Sequence, residues 1–135
     1  MTKPLSGMKV LDFTQMLPGP FGTMILADLG ADVIKVENTG SPDIIRFLPP
    51  IVDGVSALHA HINRGKRSLG INLKHPDAKD IIYRLVDQYD VVIEQFRPGV
   101  MEKLDIGYNN LKSINSSLIY CALSGYGQTG PYSSR

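Results

Sequence analysis

Residues 8–37 read MKVLDFTQMLPGPFGTMILADLGADVIKVE, and the order of signals within them decides the fold class. Residues 8–14 form a short run carrying Val10, Leu11 and Phe13, the composition of a buried strand. The segment QMLPGPFG breaks it. A helix can start at Pro20, because the first helical position needs no N–H, and Phe21, Met24, Ile25 and Leu29 supply its apolar side before Gly30 ends it. Residues 32–37, DVIKVE, are a second strand. Strand, short helix and strand within thirty residues is a βαβ crossover, which joins parallel strands.

The same alternation continues outward. Residues 38–66 are broken by Gly40, Pro42, Pro49, Pro50 and Gly54, so they read as a long excursion with one short helix at SALHAHIN. RSLGINL is a short strand. HPDAKDIIYRLVDQYD is a helix with Asp77 and Asp80 in its first turns and an apolar face of Ala78, Ile81, Ile82, Leu85 and Val86. DVVIEQF is the next strand, RPGVMEKLDIGYNNLKSIN holds two short helical turns around Gly107, and SLIYCALSG is the last strand. The expected class is α/β with a mainly parallel, Rossmann-like sheet and flanking helices.

The 135 residues suffice for one domain, and 14 basic against 13 acidic residues leave no charge excess that would mark a nucleic-acid or membrane-surface binder. Any basic site is local. The single cysteine, Cys121, cannot form an intrachain disulfide, and its apolar neighbours LIYCAL predict a buried, inert thiol. No leader or membrane-spanning run is legible, so a cytoplasmic protein is expected.

Ligands of open parallel sheets bind beyond the carboxyl ends of the strands, so the loops there carry the functional reading. The first loop has Gly19 and Gly22 but no G-x-G-x-x-G, which disfavours a dinucleotide module; the structural alternative for both glycines is close strand-to-helix packing. NRGKRS places Arg64, Lys66 and Arg67 around a glycine, either a phosphate-holding turn or a solvated basic one. EQFRPGVMEKL begins at a strand end and brings Phe96 together with Arg97 and Lys103, a set suited to a ligand with a purine ring and phosphates. The alternative makes Phe96 core and both cations surface charges. His59, His61 and His75 lack metal-ligand spacing, and Asp12 and Glu37 at strand ends read as loop or cap ligands before a catalytic pair.

Five stretches, PLSGMKVLDFT, PGPFGTMILADLGADVIKVE, NRGKRSLGINLK, DVVIEQFRPGVMEKL and LIYCALSGYGQTGPY, resemble in order the N-terminal part of the family III CoA-transferases. That group includes formyl-CoA, carnitine-CoA and bile-acid-CoA transferases and the α-methylacyl-CoA racemases. The resemblance implies that residues 1–135 are the N-terminal, CoA-binding part of a large domain, with coenzyme A or an acyl-CoA as substrate and no metal. It places Met16, Leu17 and Pro18 along the pantetheine arm and thioester. Ile71, Asn72, Gln95, Phe96 and Arg97 fall at the adenosine end, followed by Val100 and by Lys103 near the phosphates.

Two departures bear on that reading. Relatives often carry an arginine just after the second strand, where this chain has Asn38; the task would then pass to Arg64, Lys66 or Arg67. Several transferases set a glutamine against the thioester where Leu17 stands, and an apolar residue there is similar to the racemase branch. For a transferase, the resemblance implies an aspartate nucleophile that moves CoA from an acyl-CoA to a carboxylic acid; for a racemase, a His/Asp pair. Both sets of catalytic residues are expected beyond Arg135. The resemblance also implies an interlocked homodimer, so a chain ending at Arg135 is expected to expose apolar sheet surface and to be an inactive split or truncated half if it acts alone.

Overall fold

The computed structural model describes residues 2–133. Seven strands and five helices appear in the order β1 (Lys9–Asp12), α1 (Pro18–Asp28), β2 (Asp32–Glu37), β3 (Ile51–Val52), β4 (Val55–Ser56), α2 (Ala57–Ile62), β5 (Arg67–Gly70), α3 (Ala78–Val86), β6 (Val91–Glu94), α4 (Val100–Lys103), α5 (Tyr108–Ile114) and β7 (Ile119–Ala122). The main sheet has the order β5-β2-β1-β6-β7, and each of its four pairings is parallel. The α/β class and the first βαβ unit therefore stand as read, with α1 starting at Pro18, two residues earlier than expected.

The period of two along the strands separates two cores. Leu11, Phe13, Ile34, Val36 and Val92 face the layer of α3, Met101 and α5, where Ile82, Val86 and Leu111 are fully buried. Val10, Val33, Val91 and Ile93 face the other way, against Leu26 and Ala27 of α1. On α3 the buried residues are Ala78, Ile82 and Val86, one stripe at helical spacing; Ile81, assigned from sequence to the apolar face, is 36% exposed.

Residues 38–66 hold more order than the sequence showed: a 3-10 turn at Ile44–Phe47 and the antiparallel β3–β4 hairpin precede α2. Ser56 caps α2 by accepting the His59 N–H. Cys121 is exposed, not buried as expected, because β7 is an edge strand and its face bearing Ile119 and Cys121 is left uncovered by any helix among the described residues. Apolar exposure also lies on α1, where Phe21, Ile25 and Leu29 form a stripe, and on the hairpin. Among the described residues no helix is long and apolar enough to cross a membrane.

Candidate functional site

From β1 the chain moves to β2 and β5 on one side of the sheet, then to β6 and β7 on the other. The order therefore reverses between β1 and β6, and the crevice beyond the carboxyl ends of these two strands is where an open sheet of this kind takes a ligand. A hollow of about 390 Å³ lies there, lined by Pro18 from the loop after β1, by Gln95, Phe96, Arg97 and Pro98 after β6, and by Leu123, Ser124 and Gly125 after β7. Phe96 also walls a second hollow of about 200 Å³ with Gln15, Asn38, Leu73, Lys74, Val100 and Leu104. A third, about 270 Å³, shares Leu73, Lys74 and Leu104 with the second and adds His75, Lys79, Lys103 and Asp105. The first and second thus share a wall at Phe96, and the second and third at Leu73, Lys74 and Leu104.

Local chemistry fixes the walls. The Gln95 side-chain oxygen accepts the Gly19 N–H at 3.1 Å, tying the start of α1 to the loop after β6. A Cβ on Gly19 would come within 2.3 Å of Thr14 Cβ and 2.6 Å of that Gln95 oxygen, so close packing does require glycine there. At Gly22 a Cβ would meet nothing within 4 Å, so the packing explanation offered for both glycines holds only for Gly19. Buried Glu94 accepts the Phe96 N–H at 2.7 Å and so holds the backbone of the residue that two hollows share. Burial raises the Glu94 carboxyl above the usual carboxylate range, against the Phe96 and Tyr120 hydrogen bonds that lower it.

The cations divide into two groups. Arg64 pairs with Asp28 at 2.6 Å and Arg67 with Asp32 at 2.6 Å. Lys66, with 1% of its side chain exposed, sits between Asp12 (3.1 Å), Thr23 (2.8 Å), Asn63 (2.9 Å) and the Pro20 carbonyl (2.9 Å). NRGKRS is therefore a largely solvated turn at Arg64 and Arg67, which form exposed ion pairs, while its Lys66 is buried against Asp12. Lys74, Arg97 and Lys103, by contrast, line the hollows, and among the described residues none of them is in an ion pair. The sequence reading missed Lys74, which follows a strand end with no motif to mark it.

The two strand-end acids are also accounted for. Asp12 accepts the Thr14 N–H (2.9 Å) and the Thr23 hydroxyl (2.5 Å) besides Lys66. Glu37 accepts the Asp43 N–H (3.3 Å) and pairs with Arg46. Burial pulls Glu37 upward, but the Arg46 hydrogen bond, the Asp43 N–H and the charges of Arg46 and Lys35 outweigh it and hold the carboxyl below its ordinary range. Both acids act as loop ligands.

Of the other residues singled out in the sequence, Met16 and Leu17 are 47% and 52% exposed on the loop before α1 and wall none of the three hollows. Ile71 is buried in the larger core, its N–H bonded to the Glu37 carbonyl. Asn72 is exposed and accepts the Lys74 N–H at 3.1 Å, turning the chain after β5 so that Lys74 follows.

A parallel α/β sheet with hollows at its strand-order reversal has the layout of folds that take ligands at that point. The chain belongs to CoA-transferase family III, whose family model matches residues 5–135. It is 46% identical over 134 residues to the human succinyl-CoA:glutarate CoA-transferase, covering 98% of this chain and 31% of that protein. It is 47% identical over 128 residues to the acetyl-CoA:oxalate CoA-transferase of Acetobacter aceti, covering 95% and 33%. The solved structure of Rv3272 from Mycobacterium tuberculosis superimposes with a TM-score of 0.90 at 47% identity, covering 98% of this chain and 37% of that one. The chain thus spans about a third of the length of the curated relatives it matches.

Proposed function

We propose that this chain is the CoA-thioester-binding part of a CoA-transferase, holding an acyl-CoA along the three linked hollows. One observation carries the reading: three of the cations lining the hollows, Lys74, Arg97 and Lys103, are in no ion pair among the described residues, whereas Lys79 beside them lies 3.7 Å from Asp105 and those of the neighbouring basic turn are paired. Phosphate oxygens would complete them, since ammonium gives point charge and guanidinium a planar pair of donors. Phe96 offers a face for the adenine between them and the loop carrying Met16, Leu17 and Pro18, which would lie along the pantetheine arm. Asn72, Gln95 and Val100 frame the same path. The absence of a G-x-G-x-x-G fits a ligand held by side chains instead of a glycine cradle.

In the reaction proposed for the whole protein, an aspartate carboxylate attacks the thioester carbonyl and expels CoA thiolate, leaving a mixed anhydride. The acceptor carboxylate displaces the donor acid, giving the acceptor's anhydride. CoA thiolate then attacks its acyl carbon, forming the new thioester and freeing the aspartate. The nucleophile is assigned to a position beyond Arg135, and this chain's residues bind and orient. Relatives named for succinyl-CoA, acetyl-CoA, glutarate and oxalate support small acyl-CoA donors and carboxylate acceptors.

Leu17, apolar and exposed beside the hollow, favours the second reading, a racemase that removes and returns the proton next to the thioester. One experiment separates them. The intact protein is incubated with an acyl-CoA and a panel of dicarboxylates in D2O, and products are followed by mass spectrometry. Acceptor-dependent formation of a new acyl-CoA supports transfer. Deuterium uptake next to the thioester with no acceptor dependence refutes it in favour of the racemase.

A further inference from the structure

Met16 is a non-glycine residue with φ of 62°, a left-handed conformation that costs on the order of 1–2 kcal/mol for a side chain of this kind. Something must hold it, and the holder is remote in sequence. Both carboxylate oxygens of Asp43 accept the Met16 N–H, each at 3.1 Å. Asp43 has no solvent exposure and takes its own order from the Ile45 N–H at 3.2 Å and from Glu37, which accepts its N–H. Lys35, 2% exposed, pairs with Asp43 at 3.1 Å and donates to the Thr14 carbonyl at 2.7 Å. Two peptide groups of the loop, at Thr14 and Met16, are thus gripped from below by one buried ion pair, while the Met16 and Leu17 side chains stand outside at the carboxyl edge beside Pro18.

A turn that served only to connect β1 to α1 would be made with glycine at position 16, at no steric cost. Here a large apolar side chain is kept in a strained backbone by a pair whose desolvation is itself costly, and strain held in place by surrounding structure points to a site that needs a fixed loop. We propose that Asp43, with Lys35 as its counterion, is a positioning residue for ligand binding that acts through the backbone of Met16. It sets the loop against the pantetheine arm and contributes nothing to the adenosine end. The proposal rests on the CoA-thioester reading above.

The test compares CoA with 3′,5′-adenosine diphosphate, which shares the adenosine end and lacks the arm, by calorimetric titration of the intact protein. Asp43→Asn weakens CoA by about tenfold or more, roughly the lower end of the strain it restrains, and leaves the diphosphate within about twofold. Should Asp43→Asn fail to fold, two variants at the exposed position 16 read the same effect. Met16→Asn loses the side chain but tolerates the left-handed region; Met16→Pro loses the N–H and is locked near φ −65°. CoA binds Met16→Pro about tenfold or more weaker than Met16→Asn, with the diphosphate unchanged. Equal losses for both ligands, no loss for either, or identical behaviour of the two position-16 variants would overturn the proposal. Wild-type protein that binds neither ligand would overturn the CoA reading and this proposal together; wild-type binding with unselective variants overturns only the positioning role.

Discussion

The Gln95 side-chain oxygen lies 3.1 Å from the Gly19 nitrogen, and that hydrogen bond joins the two loops between which the strand order of the sheet reverses. Gly19→Ala puts a methyl 2.3 Å from Thr14 Cβ, a rigid β-branched neighbour, and displaces the Gln95 oxygen. The expected result is a loss of about 1–3 kcal/mol in urea unfolding, with weakened CoA binding. Gly22→Ala, where a Cβ meets nothing, is the control and leaves both unchanged.

Phe96 walls two of the hollows and is only half-buried, so its truncation is felt by ligand more than by fold. Phe96→Ala weakens binding of 3′,5′-adenosine diphosphate by about 1–3 kcal/mol, the range for a base stacked on an aromatic ring, and Phe96→Tyr restores it. Calorimetry at one temperature checks both.

Lys74→Ala and Lys103→Ala each reduce CoA affinity by about tenfold and flatten its dependence on salt, while thermal unfolding stays near wild type because both side chains are exposed. Arg67→Ala, taken from the paired basic turn, leaves CoA affinity unchanged.

Lys66 behaves oppositely. Its ammonium is buried among Asp12, Thr23, Asn63 and a carbonyl, and removing one partner of such a pair strands the other. Lys66→Met is expected to destabilise by about 3–5 kcal/mol in chemical unfolding. Asp12→Asn with Lys66→Met recovers part of that loss, because no charge is then left unpaired.

The pH dependence has a definite sign at Glu37. Its folded pKa lies below the unfolded value, so its contribution is fully present above about pH 4.5 and is lost as pH falls through the folded pKa. Arg46→Met removes the hydrogen bond and charge that outweigh burial. The variant's acid unfolding therefore shows a shallower fall in stability below about pH 4.5 than wild type. Urea melts at stepped pH measure this slope.

The order of the main-sheet strands and their helices was legible because the buried strands carry apolar runs and the breaks fall on proline and glycine, and residues 8–37 already showed the parallel pairing of β1 with β2; the β3–β4 hairpin was not legible. Phe96 and Arg97 were marked by their place after a strand end, and Pro18 and Gln95 by the family resemblance; the structure brings these four into one hollow. The fate of the basic turn was not legible. Arg64, Lys66 and Arg67 read equally as a phosphate-holding or a solvated turn, and only the fold shows Asp28, Asp12 and Asp32 brought to them across 36, 54 and 35 residues. The same limit hid the Asp43–Met16 grip, which spans an excursion without periodicity, and made Cys121 look buried, since a sequence does not show which strand is an edge.

The most direct measurement is a calorimetric titration of the intact protein with CoA and, separately, with NAD. A ligand held by Lys74, Arg97, Lys103 and Phe96 requires saturable binding of one CoA per chain, at least about tenfold tighter than NAD, with an affinity that falls as salt rises. Binding of CoA no tighter than NAD, or no saturable binding, would contradict the assignment of these hollows to a CoA thioester.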